Sequence, residues 1–218
     1  MKPIFNALAA SLFSLTCAPV LAQESGASVN ISPLTIEGLS IGKKIVVGAA
    51  FAERFGVAVP LPFEIVIPTI EGQNIYYDPA PGGNGILKVT FTTSEDQVRS
   101  NIQIVPFTID MIPVEDRLQA LRSLLQQALD TSIPDPDRAE VLIVQTFEMG
   151  PYPAIEAVAK YDGGDDGLII LRVVAIPDPE SVNGLMVIMN TVAKNNEMSV
   201  ITDILEFEAA KALNSIRF

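Results

Sequence analysis

The chain has 218 residues, 14 Lys and Arg against 26 Asp and Glu, a formal charge of −12, and neither His nor Trp. The acid excess repels phosphate backbones and anionic headgroups, which excludes nucleic acid and acidic membranes as natural partners. Without His there is no imidazole base, no Ser-His-Asp or Cys-His dyad and no imidazole zinc ligand, so any catalysis has to use carboxylates, Lys, Tyr or hydroxyls.

The N-terminus predicts a secretory signal peptide over residues 1–22. Lys2 supplies the charged start, the apolar run Ala7 to Leu15 the hydrophobic centre, and Val20-Leu21-Ala22 before Gln23 the small-residue cleavage site. Asn6, Ser11, Ser14, Thr16 and Pro19 make this run too short and polar for a membrane span of about 20 residues. Ser14-Leu15-Thr16 before Cys17 lacks the pattern of a lipoprotein site. Cleavage after Ala22 removes Lys2, Cys17 and no acidic residue, leaving 196 residues with 13 basic and 26 acidic side chains, a charge of −13 and no thiol. A cysteine-free exported chain must be stabilised by its apolar core, which suits the periplasm better than a disulfide-rich extracellular module.

Residues 23–30 read as a flexible leader, and 31–218 as a single domain. Short β-rich stretches follow: Ile31 to Ile41, Lys44 to Val47, Phe63 to Ile67 and Ile75 to Asp78. Pro60, Pro62 and Pro68 bracket the third, as at an edge strand or bend. Asp78 to Gly85 is a loop, and Ile86 to Thr92 and Ile102 to Phe107 alternate as half-buried strands. A helix is predicted from Pro113, with Glu115 and Asp116 in its first turn and Val114, Leu118, Leu121, Leu125, Ala128 and Leu129 along one face, ending before Pro134.

Val141 to Met149, Ile155 to Tyr161 and Leu168 to Ile176 read as strands, with Asp162 to Gly167 as a hairpin connection. Leu185 to Val192 reads as strand, although its Met and Leu content also suits a helix. Asp203 and Glu206 form a capping box for a terminal helix with Leu205, Ala209, Ala212, Leu213 and Ile216 on its stripe. Helices that do not alternate with strands predict an α+β fold, an antiparallel sheet with helices packed on it.

No motif carries chemistry. Asp162, Asp165 and Asp166 lack the spacing of an EF-hand, with Gly164 and Val173 at ligand positions. Gly82-Gly83-Asn84-Gly85 has no following Lys-Ser/Thr and leads into a strand, unlike a phosphate loop. No cofactor or metal is read. Met186, Met189 and Met198 either fill the core or line an adaptable apolar groove. Tyr76 and Tyr77, with Asp78 and Pro79, and Tyr152, with Gly150 and Pro151, stand by the Pro/Gly loops, where an aromatic with a polar tip marks a contact surface or closes the core edge.

The order of helix, Val141-Leu142-Ile143-Val144, Gly150-Pro151-Tyr152-Pro153-Ala154, Arg172-Val173-Val174 and the terminal Ser215-Ile216-Arg217-Phe218 resembles the PsbP-like family over residues 63–218. The resemblance implies an α/β/α sandwich around a central antiparallel sheet and a non-catalytic assembly or accessory role; it carries over no catalytic or metal residue and leaves 31–59 without a counterpart. The expected function is an exported, non-enzymatic domain that binds a protein partner or supports assembly at the bacterial envelope, with no stable membrane anchor after cleavage. A carrier of a small apolar ligand and a hydrolase with paired carboxylates are the alternatives. Intact mass and N-terminal sequencing of the exported protein should give Gln23 as the first residue and no alkylatable thiol; an uncleaved chain would refute the signal assignment.

Overall fold

The computed structural model describes residues 42–109, 116–196 and 201–218. The signal peptide, the leader, the Ile31 to Ile41 stretch, Pro113 to Glu115 and Met198 lie outside the described residues. β1 (Gly42–Val47), α1 (Ala49–Phe55), β2 (Phe63–Pro68), β3 (Gln73–Pro79), β4 (Leu87–Thr93), β5 (Val98–Thr108), α2 (Arg117–Ser132), β6 (Glu140–Met149), β7 (Tyr152–Asp162), β8 (Leu168–Pro177), β9 (Asn183–Val192) and α3 (Glu208–Asn214) follow in order. β3 to β9 form one seven-stranded sheet in the order β3-β4-β5-β9-β8-β7-β6, every neighbouring pair antiparallel; β1 and β2 form a separate two-stranded ribbon. The fold is α+β, as expected, and Leu185 to Val192 is strand.

β8 explains why two layers are needed over the sheet. Of its residues only Leu168 is exposed, and their alternation feeds two separate hydrophobic clusters. Ile169, Leu171, Val173 and Ala175 meet Leu121, Leu125, Ala128 and Leu129 of α2 on one face. Ile170, Val174 and Ile176 join the opposite cluster with Phe63, Ile65 and Ile67 of β2 and Ala209, Ala212 and Leu213 of α3. α2 covers β7 and β8, and among the described residues no helix covers the same face of β3, β4 and β5.

Three local expectations change. Leu118 is exposed rather than on the buried stripe, because the helix meets the sheet only from Leu121 onward. Asp203 and Glu206 are not a capping box: they lie in a 3₁₀ segment (Ile201–Glu206), and α3 starts at Glu208 without a side-chain cap. Residues 49–55, for which no element was expected, form α1, whose N-cap Gly48 offers no side chain and whose C-cap Gly56 is left-handed (φ 66°).

The ribbon is tied to the C-terminal segment. Glu64 and Arg217 exchange backbone hydrogen bonds of 2.7 and 2.9 Å, and the Val66 N–H donates to Ser215 Oγ at 2.8 Å. Seven-residue α3 is too short to persist alone. It is held by these bonds and by Glu208, whose Oε1 accepts from Gln73 Nε2 at 2.7 Å and lies 3.4 Å from an Arg99 nitrogen.

A second buried ion pair crosses β7 and β8. Arg172 Nε donates to Glu156 Oε2 at 2.6 Å and Gln145 Nε2 to Glu156 Oε1 at 2.5 Å, with both charged side chains almost wholly buried. Such a pair contributes little beyond an apolar replacement, but half of it is costly. Arg172→Met should cost about 3–5 kcal/mol by stranding the Glu156 carboxylate, and adding Glu156→Leu should recover most of that loss; urea midpoints of both variants give the comparison, and a double variant no more stable than the single would contradict it.

Candidate functional site

Antiparallel order sends alternate connections to opposite ends of the sheet. β3, β5, β6 and β8 end, and β4, β7 and β9 begin, at one end. Both loops singled out from the sequence lie there, at opposite sides of the sheet: the β3–β4 loop at one edge and the β6–β7 turn near the other. From β3 to β7 is five strand spacings, about 24 Å.

The second loop is shorter than expected. Met149 pairs with Tyr152, so only Gly150 (φ 62°) and Pro151 make the turn, and Tyr152 opens β7. Its ring meets that of Phe218 edge-on, centroids 4.6 Å apart, and closes the edge of the core. Tyr76, Tyr77, Asp78 and Pro79 belong to β3. Their alternation separates the two tyrosines. Tyr77 packs on the cluster containing α3, with Lys43 Nζ 4.4 Å from its ring centre.

Tyr76 points to the face that α2 leaves open and is 51% exposed. It forms a cross-strand row with Thr90, Asn101 and Asn190, and the neighbouring row is Asp78, Lys88, Gln103 and Ile188. The open half of the sheet is therefore lined by amides, hydroxyls and the charged pair Asp78 and Lys88, with Tyr76 exposed at its edge. Tyr76 is fixed there: its OH donates to Asp96 Oδ1 at 2.6 Å, and Asn74 Nδ2 donates to the same oxygen at 2.9 Å.

Beside the β3–β4 loop lies a cleft of about 650 Å³, lined by the segment Gly56 to Pro60, by Asn84 of that loop, and by Pro106, Phe107, Thr108 and Asn183 where β5 ends and β9 begins. Phe107 is fixed against Gly184, where a Cβ would stand 2.3 Å from the ring. Thr108 Oγ1 donates to Asn183 Oδ1 at 3.1 Å. No charged side chain is among these lining residues. Sequence reasoning reached Asn84 through its loop but not the opposite walls, because Gly56 to Pro60 and Pro106 to Asn183 meet only through tertiary packing.

The groove expected near the methionines does not form from Met186 and Met189. They sit three apart on β9, so they fall in opposite clusters, buried on the two sides of the sheet. The nearly fully buried carboxylates of Glu156 and Glu208 face arginine and amide groups rather than a second carboxylate. Asp162, Asp165 and Asp166 cap a hairpin in which Asp162 Oδ1 accepts from the Gly164 N–H at 2.9 Å. Among the described residues no group of three acidic, His or Cys side chains is placed to hold a metal, and no helix is long and apolar enough to cross a membrane.

The hydrogen bonds from Tyr76 and Asn74 hold the Asp96 carboxyl below its ordinary range, and the bond Tyr76 makes to Asp96 pushes the phenol up. A carboxyl depressed in the folded state stabilises above its unfolded pKa, near 3.9, and that contribution is lost as pH falls through the folded value. Tyr76→Phe should therefore move the Asp96 titration upward, toward the ordinary carboxylate range, as read by carboxyl-carbon NMR, while the fold survives at neutral pH; an unmoved midpoint would show that the bond is not formed in solution.

No family model matches the chain, and no curated protein matches it. Among solved structures it is similar to cyanobacterial PsbP (CyanoP) from Synechocystis, with 13% identity and a TM-score of 0.47 over 85% of this chain and 99% of that one. It is also similar to the Ran-binding protein Mog1p of Saccharomyces cerevisiae, with 10% identity and a TM-score of 0.46 over 81% of this chain and 94% of that one. The PsbP-like resemblance of the sequence thus has a weak counterpart among solved structures.

Proposed function

We propose that the chain is an exported, non-enzymatic binding domain of the bacterial envelope that engages a protein partner through the end of the sheet carrying the cleft. In this reading residues 1–22 direct export, the helices and sheet form an α/β/α sandwich of the PsbP-like kind, and no cofactor takes part. The observation that supports it most is an uncharged cleft of about 650 Å³ lined in part by the β3–β4 loop, at the end of the sheet where the β6–β7 turn also lies. The buried carboxylates occupied by arginines argue against the hydrolase alternative. The separation of Met186 from Met189 argues against the methionine-lined carrier.

A photo-crosslinking residue placed at Asn84 or Pro151 should capture the same protein in producing cells. The same residue at Asp165, in the β7–β8 turn at the far end of the sheet, should capture none. Equal capture at all three positions, or none at any, would overturn the assignment.

A further inference from the structure

The two walls of the cleft share a property that neither has by its side chains: each presents main-chain groups that the sheet does not use. On one wall, Ala58 and Val59 link the α1 C-cap to Pro60, with Leu61 anchored in the core. Among the described residues no hydrogen bond reaches their backbone N–H or C=O groups.

On the other wall, among the described residues, the lane beside β5 is open. β4 begins at Leu87, opposite Ile104, and its last bond to β5 in this direction is Ile86 N–H to the Ile104 carbonyl at 2.8 Å. In an antiparallel ladder a residue turns its N–H and C=O to the same side, alternating along the strand. Ile109 donates to Val182 on the β9 side, so the odd-numbered residues here face β9. The even-numbered Pro106 and Thr108 turn their main-chain groups to the side that β4 has left. The cleft is therefore lined by the unbonded main chain of Ala58 and Val59, and on β5 by the Pro106 carbonyl and both Thr108 groups, which face the lane.

We infer that the cleft binds an extended peptide segment of the partner by main-chain pairing, in the lane that continues β4, with an apolar side chain against Phe107 and basic residues at its ends. This rests on the protein-partner reading above. Unused strand edges are where extended peptides add, main-chain bonds giving affinity and pockets giving side-chain preference. Phe107, Pro106 and Pro60 provide the apolar floor. Charge complementarity sets the ends: Glu180 stands exposed in the turn leading to Asn183, Arg117 in that region is held by the Pro179 carbonyl at 3.0 Å, and acidic residues outnumber basic ones 26 to 14.

The probe is acetyl-Lys-Thr-Val-Thr-Val-Lys-amide, titrated into the exported chain with hydrogen exchange followed by NMR. The Ala58, Val59 and Thr108 amides should gain about tenfold protection, and binding should weaken as salt rises. The same peptide N-methylated at both valines, and Thr108→Pro in the protein, should each weaken binding about tenfold by removing main-chain donors. Equal binding of the N-methylated peptide, or protection confined to the β6 edge around Val141 and Val144, would overturn the pairing. Absence of all peptide binding while Asn84 still crosslinks to a protein would overturn this inference and leave the proposed function standing; loss of both would overturn the two together.

Discussion

Everything in this molecule follows from a sheet whose central strands cannot face water on either side. β8 and β9 put branched and aliphatic side chains to both faces, and each face must be covered. α2 meets one requirement with a single 16-residue helix. The other face is covered by a composite of the β1–β2 ribbon and α3, held by directional bonds as well as burial. The asymmetry has a consequence. One helix reaches only β7, β8 and their neighbours, so the polar sequences of β3, β4 and β5 on that side match a face that no described helix covers.

The buried ion pairs fit this division. Glu156, Arg172 and Glu208 all belong to the face under the ribbon and α3, where the covering pieces are small and need orientation. An apolar interface alone would let a seven-residue helix slide; a carboxylate bonded to Gln73 of β3 and facing Arg99 of β5 sets its position along the sheet.

Much of the sheet was legible in the sequence, because period-two alternation in β4 and β5 and the Asp-Gly-rich turn between β7 and β8 report local physics. What failed to read had non-local causes. α1 has seven residues and no capping side chain, so its helicity depends on packing. Leu118 has the right spacing but no sheet beneath it. Asp203 and Glu206 satisfy a capping pattern in a segment that tightens to 3₁₀ before α3 begins. For the candidate site, the loops could be found, since proline and glycine mark them. The separation of Tyr76 from Tyr77 was implicit in the strand assignment, because adjacent strand residues face opposite ways. The cleft was not implicit in any local pattern, since Gly56 to Pro60, Asn84, Pro106 to Thr108 and Asn183 come from separate stretches that meet only when the ribbon docks.

That docking makes the cleft dependent on residues far from it. Gly56 to Pro60 is suspended between α1 and β2, and β2 is positioned by Ser215 and by the backbone exchange between Glu64 and Arg217. The opposite wall, Pro106 to Thr108, belongs to the sheet and is fixed by β9. The width of the lane is thus set by how the ribbon and α3 sit on the sheet, through Gln73, Arg99, Glu208 and Ser215, none of which lines it. A small displacement of α3 would be transmitted through β2 to the free backbone of Ala58 and Val59, while the β5 wall stayed in place. The same latch that covers the hydrophobic face therefore also positions the Gly56 to Pro60 wall of the cleft.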